Sequence, residues 1–144
     1  MKKLTTIQIV NVYRLLNNGT LAKIEKGRNR YSVIKALRVM KPIVEEYENN
    51  RMEALKKLRD GHNEDCALLD RLSARDSSLT PSEIERANRF AHQLAEDLNG
   101  CMKEINEEEH GLEFEPLSEE TFMGLLEGND WHAQDCMFLE DLLR

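Results

Sequence analysis

Carboxylates at helical spacing are the first candidates for chemistry in this sequence. Glu45 and Glu48 stand three residues apart within a stretch of helical periodicity, so both can lie on one helix face. Helical nucleotide pyrophosphohydrolases hold magnesium at a triphosphate with such a pair and a second acidic pair on the next helix. Glu96 would begin the second pair, but Asn99 stands where Asp or Glu is needed. This enzyme class therefore remains an alternative with an incomplete set of ligands.

Histidines supply three further candidate sites. His132 and Cys136 are four residues apart on a predicted helix, but two ligands do not make a metal site. His92 and Glu96 would suit a base with an orienting carboxylate, yet no nucleophile is placed beside them. Residues 107–110, three glutamates and a histidine, point in different directions on a helix. We interpret all three as solvated or half-buried polar groups, and we predict no catalytic residue, no metal site and no cofactor.

A basic stretch between residues 23 and 41 is a candidate interaction surface. Only Glu25 opposes its cations, which are Lys23, Lys26, Arg28, Arg30, Lys35, Arg38 and Lys41. Together with Tyr31 they could meet the phosphates of a nucleic acid. We favour the competing interpretation, neutralisation by the acidic second half of the chain, because a net charge of −7 repels nucleic acid at long range.

Composition restricts the class of protein. The 144 residues fit one domain, and 40% apolar with 33% charged residues indicates a folded chain rather than a disordered one. Residues 1–60 hold 14 Lys/Arg and 6 Asp/Glu, whereas residues 61–144 hold 6 and 21. No apolar run is long enough for a membrane span, and no signal peptide is expected. Three widely spaced cysteines favour free thiols and a cytoplasmic location.

Two stretches with heptad spacing predict two long amphipathic helices. The first begins between Asn29 and Ser32 and ends near residue 59, and Pro42 inside it predicts a bend or a break. The second begins with the capping signature of residues 80–83 and ends near residue 110. We expect the two to fold back on each other, which would bring Lys35 and Arg38 close to glutamates 104 and 107.

The fold class predicted is therefore mostly α: a long antiparallel helical hairpin packed with shorter N- and C-terminal helices. Residues 1–144 form a single helical domain, and residues 62–79 form the hairpin tip, a candidate flexible segment. A short helix is expected after Thr5 or Thr6, and two more after Ser118 and from Trp131. Alternation of apolar residues also suggests a small two-stranded β-ribbon that pairs residues 21–24 with 112–116.

The order of these features resembles a family of small, functionally uncharacterised proteins of tailed phages and prophages. The matching parts are Leu15 to Gly19, Leu21 to Ile24, the run from Lys41 to Glu48, Leu112 to Pro116 and the closing Leu139 to Leu143. The tip departs most from the family pattern. The resemblance implies a phage or prophage origin and a bacterial host cell, and it implies no catalytic residues.

The function expected is therefore non-enzymatic. We predict an interaction or structural protein that acts through helix surfaces on a protein partner or on a second copy of itself. The candidate surface residues are Arg28, Arg30, Lys35, Arg38, Trp131, Met137 and Phe138. A magnesium-dependent nucleotide hydrolase and a nucleic-acid-binding protein remain the alternatives.

Overall fold

A computed structural model describes residues 2–144 of the chain. Within that range the elements are β1 (Lys2–Thr5), α1 (Thr6–Asn17), α2 (Gly27–Arg59), α3 (Asn63–Ser73), α4 (Pro81–Glu107), β2 (Glu109–Leu112), α5 (Glu119–Gly128) and α6 (Ala133–Leu143). The mostly helical class predicted from the sequence is confirmed, with a long helix and a small two-stranded antiparallel sheet. The long helix α2 continues through Pro42 without a break. No helix among the described residues has the length and apolar character needed to cross a membrane.

Two compact units make up the chain. The first comprises Met1–Tyr47 and Asn106–Arg144, and the second comprises Glu48–Ile105. The first unit holds the sheet, α1, the first part of α2, α5 and α6. It also contains most of the buried apolar side chains, so it has the larger core.

The β-ribbon exists, but its predicted location was wrong. Strand β1 pairs antiparallel with β2, with Lys2 opposite Leu112 and Thr5 opposite Glu109. Residues 21–24 form a turn instead, because buried Ile24 packs against α5, where Gly124 leaves room for it. The apolar alternation of residues 21–24 therefore reflects loop burial and not strand pairing.

Capping side chains fix the starts of α1 and α5 in the first unit. Thr5 accepts a hydrogen bond from the Gln8 amide, and the Gln8 side chain accepts one from the Thr5 amide, which closes a capping box at α1. Ser118 accepts a bond from the Thr121 amide at the start of α5. At the C-terminal end of α6, the Lys2 ammonium donates hydrogen bonds to the carbonyls of Asp141 and Leu142. These contacts bind the N-terminal strand to the C-terminal helix.

Polar contacts join the helices of the second unit, in addition to the buried apolar residues Leu79, Ala87, Leu98 and Met102. Arg59 at the end of α2 forms an ion pair with Asp70 of α3 at 3.3 Å. Arg86 of α4 forms one with Asp65 of α3 at 2.7 Å. The predicted cap of α4 is confirmed, because Thr80 and Glu83 exchange backbone-to-side-chain hydrogen bonds of 3.0 and 3.2 Å. Most of the predicted hairpin tip is therefore a helix, α3, which forms ion pairs with the end of α2 and with α4.

Candidate interaction surface

The first part of α2 has one face in the core and one face exposed. The buried face is formed by Val33, Ala36, Met40, Val44 and Tyr47, which recur at helical spacing. On the other side lies a surface that we name the α2 outer face, made of Arg28, Tyr31, Ile34, Lys35 and Arg38. Two of its members are large apolar residues with unusually high exposure, 45% for Tyr31 and 40% for Ile34. Exposed apolar groups flanked by cations are typical of interaction surfaces.

Only part of the basic stretch is neutralised within its unit. Lys26 lies 3.4 Å from a carboxylate oxygen of Glu120, and Lys41 lies 3.9 Å from one of Glu45. The Arg30 guanidinium donates to the Ile24 carbonyl. Among the described residues of this unit, no carboxylate forms an ion pair with Arg28, Lys35 or Arg38. The neutralisation by the acidic second half that we favoured from the sequence is therefore seen in this unit at Lys26, whereas Lys41 pairs with Glu45 of its own helix.

A shallow groove borders the α2 outer face. It has a volume of about 410 Å³ and is lined by Lys35, Arg38, Val39, Glu113, Phe114 and Glu115. The Lys35 ammonium also lies 4.8 Å from the centre of the Tyr31 ring, within the range of a cation–π contact. The two carboxylates at this groove, Glu113 and Glu115, follow β2 in the chain. They are not glutamates 104 and 107, which we expected beside Lys35 and Arg38.

Helix α5 carries an acidic surface that the sequence reasoning missed. Its buried residues are Thr121, Phe122, Gly124 and Leu125. The opposite side, which we name the α5 outer face, consists of Glu119, Glu120, Met123 and Glu127, and Met123 is 50% exposed. The signal was present in the sequence, because Glu119, Met123 and Glu127 recur every four residues and so share a helix face.

The C-terminal candidates are only partly available for a partner. Trp131 is half-buried, and its Cζ2 atom lies against Gly19 at the end of α1. Phe138 lines a groove of about 430 Å³ together with Leu15 and Asn11 of α1. Met137 alone of the three is strongly exposed, at 58%. Trp131 therefore packs against the end of α1, and Phe138 faces a groove beside α1.

The candidate chemical groups do not assemble into a site. Among residues 2–144 no three His, Cys, Asp or Glu side chains converge as a metal cluster would require. His92 pairs with Glu96 at 3.1 Å on the exposed side of α4. His132 is the N-cap of α6, and the Cys136 thiol is directed at the Trp131 carbonyl, 3.9 Å away.

His110 has a structural environment. Its Nε2 atom lies 2.7 Å from the hydroxyl of Thr6, which is only 2% exposed. The Glu108 carbonyl accepts two hydrogen bonds from Thr6, one from this hydroxyl at 3.3 Å and one from the Thr6 amide at 2.9 Å. The histidine therefore joins β2 to the start of α1.

A charged network shapes the loop before α4 in the second unit. The Ser78 hydroxyl and amide both donate to one oxygen of Asp76, at 2.6 and 2.9 Å, and Arg71 donates to the other at 2.9 Å. The Ser78 hydroxyl and amide, aided by Arg71, lower the pKa of the Asp76 carboxyl to about 2. Hydrogen bonds from Thr80, with the nearby Arg71 charge, also lower the pKa of Glu83. This network orders a loop and brings no reactive group into a cavity.

Comparison with known proteins yields no match to a family model, to a curated protein or to a solved structure.

Proposed function

We propose that this chain is a non-enzymatic interaction protein, of phage or prophage type, that works through helix surfaces. The observation that carries the proposal is the α2 outer face, where Tyr31 and Ile34 are exposed between cations that have no carboxylate partner in their unit. Exposing large apolar side chains on a helix is unfavourable in isolation, and a partner would remove them from water. Tyrosine and arginine are also the residue types that contribute most to protein interfaces.

The arrangement of the remaining polar groups supports the same proposal. Glu45 is paired with Lys41, and Glu96 with His92, so two of the three candidate magnesium ligands have a partner on their own helix. Both pairs use side chains that are mostly exposed, where a charge is easily solvated. The nucleotide hydrolase is therefore the weaker candidate.

Site-specific photo-crosslinking in the bacterial host tests the proposed function. A photoreactive amino acid at position 31 or 34 is expected to give discrete crosslinked bands, whereas the same amino acid at Ser77, an exposed loop position, is not. A band at twice the 16.7 kDa chain mass indicates self-association, and any other mass indicates a different protein. Crosslinking no stronger at 31 and 34 than at 77 would contradict the proposal.

Turnover assays test the competing enzyme. Nucleoside triphosphates with magnesium are incubated with the wild type and with Glu45→Gln. We expect no turnover by either protein. Turnover by the wild type that is lost in the Glu45→Gln variant would contradict the proposed function and support the hydrolase.

A further inference from the structure

We propose that the α2 outer face of one copy packs against the α5 outer face of a second copy. This inference rests on the proposed function and names its partner. The two faces belong to the same unit, so every copy of the chain presents both.

The two faces are opposite in charge and alike in layout. Each has exposed apolar side chains near its middle, Tyr31 and Ile34 on α2 and Met123 on α5. Three cations flank the apolar group on α2, and three glutamates flank Met123 on α5. Opposed charges around an apolar centre fix the orientation of a contact, while the centre supplies most of its favourable free energy.

The lengths of the faces also correspond. With a rise of about 1.5 Å per residue, Arg28 to Arg38 spans about 15 Å and Glu119 to Glu127 about 12 Å. Both faces belong to regular helices, so packing with the axes about 8–10 Å apart brings the side chains into contact. One helical contact of this size buries less than the roughly 1,200–2,000 Å² of a stable interface. The association is therefore expected to be weak and sensitive to salt.

Charge distribution within the unit explains why a second copy is the favoured occupant. Residues 1–47 hold 10 Lys/Arg and 3 Asp/Glu, whereas residues 106–144 hold 1 and 12. Within the unit these two segments are joined by the ion pair of Lys26 with Glu120, and most of the complementary charge stays exposed. A nucleic acid would match the cations of α2 but would leave the glutamates of the α5 outer face unpaired, whereas a second copy pairs both faces.

Because the two faces differ, the contact has one of two symmetries. It can be made twice around a two-fold axis, giving a closed dimer, or once per neighbour, giving a ring or a filament. The charge argument holds for either arrangement, because each contact joins the α2 outer face to an α5 outer face.

Sedimentation velocity of the full chain and two charge-reversed variants tests the proposal. Lys35→Glu/Arg38→Glu reverses the α2 outer face, and Glu119→Lys/Glu127→Lys reverses the α5 outer face. Each variant alone is expected to self-associate at least about tenfold more weakly than the wild type, since like charges then face each other. Raising the salt from about 0.1 M to about 1 M should weaken wild-type association, as the Debye length falls from about 10 Å to about 3 Å.

Mixing the two variants is the decisive measurement. In the mixture an unaltered α2 outer face meets an unaltered α5 outer face, so association should return. A misfolded variant could not restore it, which separates lost contacts from lost structure. The control is Lys56→Glu/Lys57→Glu, an equal charge change on exposed residues of the same helix, which should associate like the wild type.

Four results would overturn the inference. In sedimentation they are a wild type that stays monomeric at every concentration, reversed variants that associate like the wild type, and a mixture of the variants that fails to associate. The fourth is a monomer that binds DNA or RNA through its α2 outer face in a low-salt gel shift. A monomer that still crosslinks to another protein from positions 31 and 34 would refute the second-copy partner alone and leave the proposed function standing.

Discussion

Trp131 packs directly on Gly19. A Cβ atom built at position 19 would lie 2.8 Å from Cζ2 of the indole and 3.1 Å from the Leu15 carbonyl oxygen. Glycine is required here because the end of α1 approaches the tryptophan too closely for any side chain, and not because of an unusual backbone angle. Trp131 is also the single tryptophan of the chain, so its fluorescence reports on the packing of the first unit.

Gly19→Ala should therefore destabilise the first unit. The added methyl forces the indole or the backbone to shift, and overpacking of this kind costs about 1–3 kcal/mol. Urea denaturation followed by Trp131 fluorescence measures the loss, and the native emission should move to longer wavelength as the indole becomes more exposed. A variant with wild-type stability and emission would show that the contact is not tight.

Gly100→Ala is the matched control. Gly100 lies inside α4, and a Cβ there meets nothing within 4 Å. Alanine in a helix interior is more favourable than glycine by about 0.5–1 kcal/mol. Circular dichroism should therefore show a small gain in thermal stability for this variant, opposite in sign to the change at Gly19.

Local signals in the sequence predicted the starts of α1, α4 and α5. Helix α2 instead begins at Gly27, before the predicted start between Asn29 and Ser32. Thr80 and Ser118 cap the helices they were expected to cap, because a cap depends on residues only two or three positions apart. Of the two candidates at the start of α1, Thr5 and Thr6, it is Thr5 that caps the helix. The ribbon depended on a partner about a hundred residues away. Lys2–Thr5 and residues 21–24 are both short, and each buries one apolar residue, Leu4 and Ile24, so the local pattern alone does not decide which of them pairs with β2.

The sequence predicted which residue types form the α2 outer face, but not which groups those residues contact. The cations of residues 23–41 are obvious in the sequence, yet their pairing is not. The ion pair of Lys26 with Glu120 depends on where α5 lies beside the start of α2, whereas Lys35 lies over the Tyr31 ring of its own helix. Trp131 was predicted to be a surface residue, because the sequence near it does not reveal that Gly19, more than a hundred residues away, lies opposite the indole.

Removing the cap of α4 should destabilise the second unit. Thr80→Ala removes the hydroxyl that accepts a hydrogen bond from the Glu83 amide, and loss of such a cap costs about 0.5–2 kcal/mol. Thr80→Ser keeps the hydroxyl and should stay within a few tenths of a kcal/mol of the wild type. Thermal denaturation followed by circular dichroism compares them, and equal stability of Ala and Ser would show that the hydroxyl contributes nothing.

Thr6→Val should loosen the junction of β2 and α1. Valine has nearly the volume of threonine but lacks the hydroxyl that bonds His110 Nε2, which leaves a partly buried imidazole nitrogen without that partner. An unsatisfied buried group costs about 1–3 kcal/mol. Thr6→Ser retains the bond and should cost less. Hydrogen exchange of the β1 and β2 amides measures the effect, and equal protection in both variants would contradict the assigned role of the hydroxyl.

Acid should destabilise the second unit through Asp76. Its pKa is lowered to about 2 in the folded chain from a usual value of 3.8, so folding favours the ionised form. The resulting stabilisation is fully present above the unfolded pKa and is lost as the pH falls through the folded pKa. Between pH 5 and pH 2 the wild type should lose more thermal stability than Asp76→Asn, which cannot ionise at that position.

Glu85→Gln is the control, since Glu85 is exposed. Melting curves that fall equally for the wild type and Asp76→Asn would show that the Ser78 and Arg71 contacts do not stabilise the carboxylate in solution.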